Sequence, residues 1–192
     1  MELKKNRLAP VMACCWLLLV AMGLNACSRS SWKEEVQLSD GRVIVVERQT
    51  YYESGGGEWA HNRTLSKPKE ERILFSNPNG SGQVIEWRST KLSPAGWPEN
   101  PLILDIEASV PIVFSIGVTS TGCSQYFKYR YINGMWAEEV LPFRFESRKT
   151  NLYLRDGGDI SKVTLEEKHN RNDSVDYPKW AKQVGPSLHV CG

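Results

Sequence analysis

The chain has 192 residues, of which 24% are charged and 41% hydrophobic, and its formal net charge is +2. This length and composition predict one globular domain with a sizeable core rather than a low-complexity chain. The small net charge gives no electrostatic reason to expect a nucleic-acid partner.

The first 28 residues have the pattern of a secretory signal peptide. Residues 1–7 carry three basic side chains, and residues 8–28 carry no charged side chain and end in small residues. An uncharged run of this length is also compatible with a single membrane-spanning helix. Pro10 near its start and Asn25 near its end disfavour such a span, so we expect a cleaved leader over residues 1–26.

The end of this leader, Leu24-Asn25-Ala26-Cys27, resembles the lipobox of bacterial lipoproteins. The resemblance implies cleavage between Ala26 and Cys27. It also implies a diacylglyceryl group on the thiol of Cys27 and an acyl chain on the new amine. This covalent lipid is the only cofactor that we expect.

Removal of the leader would leave a neutral chain. Three of the 24 basic residues and one of the 22 acidic residues precede residue 27, which leaves 21 of each sign. We expect residues 27–31 to form a short lipidated tether and residues 32–192 to form a single domain. Five extended residues span at most about 17 Å, so the domain would act close to its membrane.

Ser28 bears on which membrane that is. Enteric lipoproteins that stay in the inner membrane carry aspartate directly after the lipidated cysteine, and this chain has serine there. The resemblance therefore implies an outer-membrane protein that faces the periplasm. We expect the lipid to make the membrane contact, and an envelope protein or a glycan to be the partner.

The domain begins with a predicted hairpin over residues 32–51. Hydrophobic side chains alternate from Trp32 to Leu38, the dipeptide Asp40-Gly41 suits a tight turn, and a β-branched run follows. The segment 53–71 contains three consecutive glycines and many charges, so it predicts a long loop.

Turn residues bound each of the later predicted strands. These strands cover residues 73–75, 84–87, 102–106, 111–118 and the two arms of 125–140 around Asn133-Gly134. The C-terminal part is less regular, because residues 160–167 fit either a strand or a helix. Residues 177–184 are compatible with a short helix before a final strand-like segment at 188–191.

At least seven short strands separated by turns predict an all-β fold. Consecutive hairpins favour antiparallel pairing, because a tight turn cannot join parallel strands. We therefore expect a single antiparallel domain, either a sandwich or barrel-like, with a short helix near the C-terminus. Hydrophobic periodicity does not choose between the two arrangements.

Aromatic residues form a stripe in the last long hairpin. Phe127, Tyr129 and Tyr131 alternate and so share one face of a strand, and Trp136 stands on the partner strand. Such a stripe can bind a sugar or a peptide by stacking. Aromatic residues more often belong to the core, so both interpretations are retained.

The cysteines predict one disulfide. Cys14 and Cys15 would leave with the leader, and Cys27 would carry lipid, which leaves Cys123 and Cys191. The bacterial periplasm oxidises paired thiols. We therefore expect a Cys123–Cys191 bridge, the alternative being two unrelated thiols.

Motifs for catalysis or metal binding are not evident. The three histidines, His61, His169 and His189, have no zinc-ligand spacing. The segment 117–122 has the two glycines of a phosphate-binding loop, but the lysine that should follow is Cys123. The sequence therefore predicts no metal site and no enzyme.

Two functional hypotheses follow. The first is a lipid-anchored envelope protein that acts as a binding, assembly or structural module. The alternative is a periplasmic inhibitor or immunity-type lipoprotein that blocks a toxin or a lysozyme-like enzyme. For such an inhibitor, the loop at 53–71 is the candidate segment to enter a target's cleft.

Overall fold

The computed structural model describes residues 28–54, 66–154, 160–174 and 177–191. The predicted leader and Cys27 lie outside these residues, as does the middle of the predicted 53–71 loop. Over the described part of the chain, no helix is long and apolar enough to cross a membrane.

Two antiparallel sheets pack face to face as a sandwich. In spatial order the first sheet contains β10 (Lys162–Val163), β1 (Arg29–Gln37), β2 (Val43–Ser54), β3 (Ser66–Ser76) and β4 (Val84–Arg88). The second contains β5 (Asn100–Glu107), β6 (Val110–Val118) and β7 (Ser124–Ile132), with both β8 (Met135–Glu139) and β12 (His189–Val190) paired to β7. Only β10 runs parallel to its neighbour among these pairs. The predicted all-β antiparallel fold is confirmed as a sandwich.

A smaller C-terminal layer covers the outer face of the second sheet. It contains β9 (Arg148–Lys149), α1 (Leu165–Asn172), α2 (Lys179–Lys182) and β11 (Gln183–Val184). Leu154, Ala181 and Val184 of this layer pack against buried residues of β5 and β6. The second sheet is therefore buried on both faces, which explains the continuous apolar runs of its strands.

The predicted hairpins are confirmed, and their turn residues have the required backbone. Gly41 has a φ of 87°, and the pair Asn133-Gly134 has φ values of 52° and 83°. Two consecutive left-handed residues form the type I′ turn that matches the twist of antiparallel strands. These local choices set the register of β1 with β2 and of β7 with β8.

The predicted tether was too long. Arg29–Ser31 belong to β1 and pair with residues 49–51 of β2. Ser28 is also held, because its carbonyl oxygen accepts a hydrogen bond of 2.9 Å from the Tyr52 amide. Residues 29–31 form strand although their side chains are mostly polar. They do so because β2 extends beyond the alternating hydrophobic residues of β1 and provides backbone hydrogen-bond partners.

The predicted loop at 53–71 was also too long. Residues 53–54 complete β2, and residues 66–71 begin β3, so both flanks of the segment pair with each other. Charged side chains dominate this part of β3, and cross-strand backbone bonds rather than apolar alternation specify it. Only residues 55–65 of the predicted loop lie outside the described residues.

The ambiguous segment at 160–167 contains both a strand and a helix start. Lys162–Val163 form β10, and Thr164 then caps α1. The Thr164 hydroxyl accepts from the Glu167 amide, while the Glu167 carboxylate accepts from the Thr164 amide at 2.7 Å. Hydrogen bonds from the Thr164 amide and hydroxyl to the Glu167 carboxylate lower the pKa of Glu167. This Thr-x-x-Glu capping box is a readable start signal that the sequence analysis missed.

The predicted pairing of Cys123 with Cys191 is present in the structure, with the two Cα atoms 4.6 Å apart. The bond joins the chain end to the residue before β7. Strand β12 pairs with Ser124 and Gln125 directly beside it. The C-terminal segment is therefore held to the sheet by both a covalent bond and a short strand.

Candidate functional site

A cleft of about 970 Å³ opens where the β1–β2 turn of the first sheet lies near β5 of the second sheet. Its walls are the β1–β2 turn, the C-terminal half of β5, residues 146–151 and one face of α1. Leu38, Ile103 and Leu165 contribute apolar surface, and charged side chains stand around them. A concave surface with an apolar floor and a few polar groups is the usual form of a binding site.

A buried ionic cluster lies behind the cleft. Glu34 is fully buried on the inner face of β1, and its carboxylate contacts Arg48 Nη1 and Lys168 Nζ, both at 3.2 Å. The same carboxylate accepts a 2.9 Å hydrogen bond from the Tyr153 amide. Arg48 and Lys168 are also buried. One carboxylate thus joins β1, β2, α1 and the chain near residue 153.

Lys168 has no donor left over for chemistry. Besides Glu34, its ammonium group donates to the carbonyl oxygens of Glu35 and Asn151. Burial lowers the pKa of Lys168, and the charge of Glu34 opposes that shift. Because an ammonium group has three N–H donors, these contacts saturate it. Lys168 therefore links α1 to the first sheet.

Asn151 closes the free edge of β5 at the base of the cleft. Its side-chain oxygen accepts from the Leu104 amide at 3.0 Å, and its amide nitrogen donates to the carbonyl oxygens of Leu104 and Gln37. The side chain therefore substitutes for a neighbouring strand. An exposed strand edge would otherwise invite pairing with another chain.

Charge pairs stand at the rim of the cleft. Glu107 contacts Lys128 at 2.8 Å and Arg148 at 2.6 Å, and both cations lie over the ring of Phe114. Burial alone would raise the pKa of Glu107, but Lys128 and Arg148 together bring that pKa below its usual value. Asp105 accepts from the backbone amide and hydroxyl of Ser39. The carboxylates of Asp105 and Glu107 are therefore both partnered within the protein.

The mouth of the cleft carries several exposed polar groups. Its exposed polar groups include Glu146, Lys149, Glu166 and His169, and the His169 ring nitrogen Nδ1 lies 3.1 Å from Asp173. The described residues contain no group of three or more His, Cys, Asp or Glu side chains arranged for a metal ion. An apolar floor with polar groups of both charges at its mouth suits a ligand that has both apolar and polar groups.

The aromatic stripe lies against the core. Tyr129 is 3% exposed, and Phe127, Tyr131 and Trp136 are partly buried against the same cluster. Trp136 Nε1 donates to the Glu86 carbonyl oxygen at 2.7 Å. Stacking with a sugar requires open ring faces, and the contacts of these rings with the core cluster favour the core interpretation.

Tyr129 also belongs to a second buried polar cluster, centred on Glu99. This carboxylate accepts from the Tyr129 hydroxyl at 2.8 Å and from the amides of Thr90 and Lys91 at 2.7 and 3.1 Å. The Ser115 hydroxyl donates to it as well. Burial and the charge of Glu99 raise the pKa of Tyr129, so the phenol stays protonated and donates. The cluster fixes the segment that connects the two sheets.

The sequence analysis missed the ionic residues of both clusters. One signal was available for Glu34, because it occupies an inward position between Trp32 and Val36 in the alternating β1 pattern. Comparisons with known proteins add no family: no family model, curated protein or solved structure matches this chain.

Proposed function

We propose that this protein is a non-catalytic, lipid-anchored binding or assembly module of the bacterial cell envelope. One observation carries the proposal: β1 begins at Arg29, two residues after the cysteine of the lipobox-like segment. An acylated Cys27 would therefore hold the first strand directly at the bilayer surface. Ser28 after that cysteine favours the outer membrane, with the domain in the periplasm.

The ionisable groups in the interior support a binding role rather than catalysis. Glu34, Glu99 and Lys168 are each saturated with internal partners. A catalytic acid or base must exchange a proton with substrate, whereas these groups connect strands and a helix. Their arrangement is that of a rigid scaffold for the cleft.

The cleft is the surface that we assign to the partner. It is lined by the β1–β2 turn, at the end of the sandwich opposite to Ser28. Anchoring through Cys27 would leave the cleft open toward the periplasm, where an envelope protein or a glycan can reach it. For the inhibitor alternative the candidate segment is the predicted 53–71 loop, of which residues 55–65 lie outside the described residues.

The anchor is tested by Cys27→Ser. We expect wild-type protein expressed in bacteria to incorporate labelled palmitate and to fractionate with membranes, and we expect Cys27→Ser to lose the palmitate label and cleavage after Ala26. Cys15→Ser is the matched control, because that thiol precedes the cleavage point and should leave labelling unchanged. Palmitate on the Cys27→Ser protein, or none on the wild type, would contradict the proposal.

The cleft is tested by photocross-linking in whole cells. A photoreactive amino acid in place of the exposed Glu146, at the mouth of the cleft, should capture one discrete partner. The same amino acid in place of Glu138, exposed on β8 and outside the cleft, should capture none. Equal products from both positions would remove the cleft from the proposed function.

A further inference from the structure

The two ends of the sandwich differ in the chain connections that they contain. One end, here called the anchor end, contains Ser28, the start of β3, the segment 89–99 that crosses from β4 to β5, and the β6–β7 turn. The opposite end contains the tight turns of four hairpins. The chain therefore enters the domain at the end that also has the long crossing segment.

The crossing segment lies level with the chain start. The Tyr52 amide bonds the Ser28 carbonyl oxygen, and the next residue, Glu53, pairs with Lys67 of β3. The Lys67 ammonium group donates to the carbonyl oxygen of Ala95. Adjacent strands are about 4.8 Å apart, so β3 lies only about 10 Å from β1. Ala95 therefore lies at the same end of the first sheet as Ser28, the described residue next to Cys27.

Three large apolar side chains are exposed at this end. Leu92, Trp97 and Val118 are 61%, 52% and 46% exposed, and we call them the anchor-end patch. Trp97 and Val118 line one cavity of about 450 Å³. A closed turn fixes Trp97, because the Ser93 amide donates to its carbonyl oxygen and its own amide donates to the Ser93 hydroxyl. The tryptophan is therefore presented to solvent by a rigid turn.

We propose that the anchor-end patch lies in the headgroup region of the bilayer that holds the lipidated Cys27. This inference rests on the proposed acylation of that cysteine. Tryptophan favours the membrane–water interface, because its ring is apolar and its N–H is polar. Acylation would keep the patch beside the bilayer at all times, so even a weak apolar contact would be populated.

The lipid surface is favoured over another occupant by position. Exposed large apolar groups, two of which line one cavity, mark a contact surface, and the bilayer is the surface that a Cys27 anchor brings to this end. Two contacts, the acyl chains and the patch, would together restrict the tilt of the domain. The cleft would then keep a fixed direction, away from the membrane.

A polarity-sensitive dye tests this contact in the matured full chain. Trp97→Cys, expressed in bacteria and labelled with a nitrobenzoxadiazole dye, is reconstituted into vesicles of phosphatidylethanolamine and phosphatidylglycerol. Met135→Cys is the matched control, because Met135 is 71% exposed at the start of β8, at the opposite end. We expect the dye at position 97 to be several-fold brighter, with blue-shifted emission, and the dye at position 135 to report water. Leu92→Cys provides a second patch position if the Trp97 variant does not fold.

The outcomes separate this inference from the proposed anchor. Protein that lacks the acyl mass and does not float with vesicles would refute the anchor itself. If the protein floats with vesicles but the dyes at positions 97 and 135 have the same water-exposed emission, the patch contact would be overturned and the proposed anchor would not. Efficient disulfide cross-linking of unlabelled Trp97→Cys protein in vesicles would assign the patch to a second copy, and would also overturn it.

Discussion

Replacing Glu34 with alanine should lower the free energy of unfolding by about 3–5 kcal/mol. The substitution would leave Lys168 without its paired carboxylate, Arg48 with Glu71 at 3.8 Å as its remaining one, and the Tyr153 amide without its acceptor. Removing one partner of a buried ion pair destabilises far more than the pair itself stabilises. Urea unfolding of the matured protein in non-ionic detergent measures the change.

Two variants show whether this loss arises from the ionic cluster. Lys168→Met removes a cation and leaves the Glu34–Arg48 pair, so its loss should be smaller than that of Glu34→Ala. Glu166→Ala is the matched control, because this exposed carboxylate of α1 should change stability by less than about 0.5 kcal/mol. If Glu34→Ala unfolds at the same urea concentration as Glu166→Ala, the cluster does not hold the fold.

Removing the disulfide should have a comparable effect. The double variant Cys123→Ser, Cys191→Ser should lose roughly 4 kcal/mol, because the bridge closes a 68-residue separation in the unfolded chain. The same urea titration, with wild type under reducing and non-reducing conditions, gives the value. Hydrogen exchange should locate the change at β12 and the start of β7, where the bridge holds the C-terminal strand.

Mass spectrometry of the secreted, non-reduced protein provides the chemical control. The expected mass is that of a bridged protein in which neither Cys123 nor Cys191 reacts with an alkylating reagent. Two alkylated thiols in natively secreted material would contradict the bridge. An unchanged unfolding midpoint on complete reduction would contradict only its effect on stability.

The hairpins were predictable from sequence because their information is local. A turn such as Asn133-Gly134 needs left-handed backbone at two adjacent positions, and these residue types adopt it most readily. Alternation in β1 likewise identified the inward side chains of Trp32, Val36 and Leu38. The disulfide was predictable for another reason, since the lipobox resemblance left only two cysteines to pair.

The strand ends were not predictable in the same way. Residues 29–31 and 66–71 are polar, and they become strand because β2 offers backbone partners over its full length. The choice between a sandwich and a barrel was similarly open, because short-range patterns are the same in both. Packing of the C-terminal layer against β5 and β6 accounts for their two-sided burial.

The sequence by itself determined the all-β class, the main hairpins, the candidate lipid anchor and the cysteine pair, because each depends on residue type and short spacing. Only the tertiary structure decided the cleft and the two buried polar clusters. Glu34 and Lys168 lie at opposite ends of the domain sequence, and no local pattern reports that their side chains meet. Their contact forms only in the folded chain, and it is needed there because a buried charge is tolerated only where another segment supplies its partner.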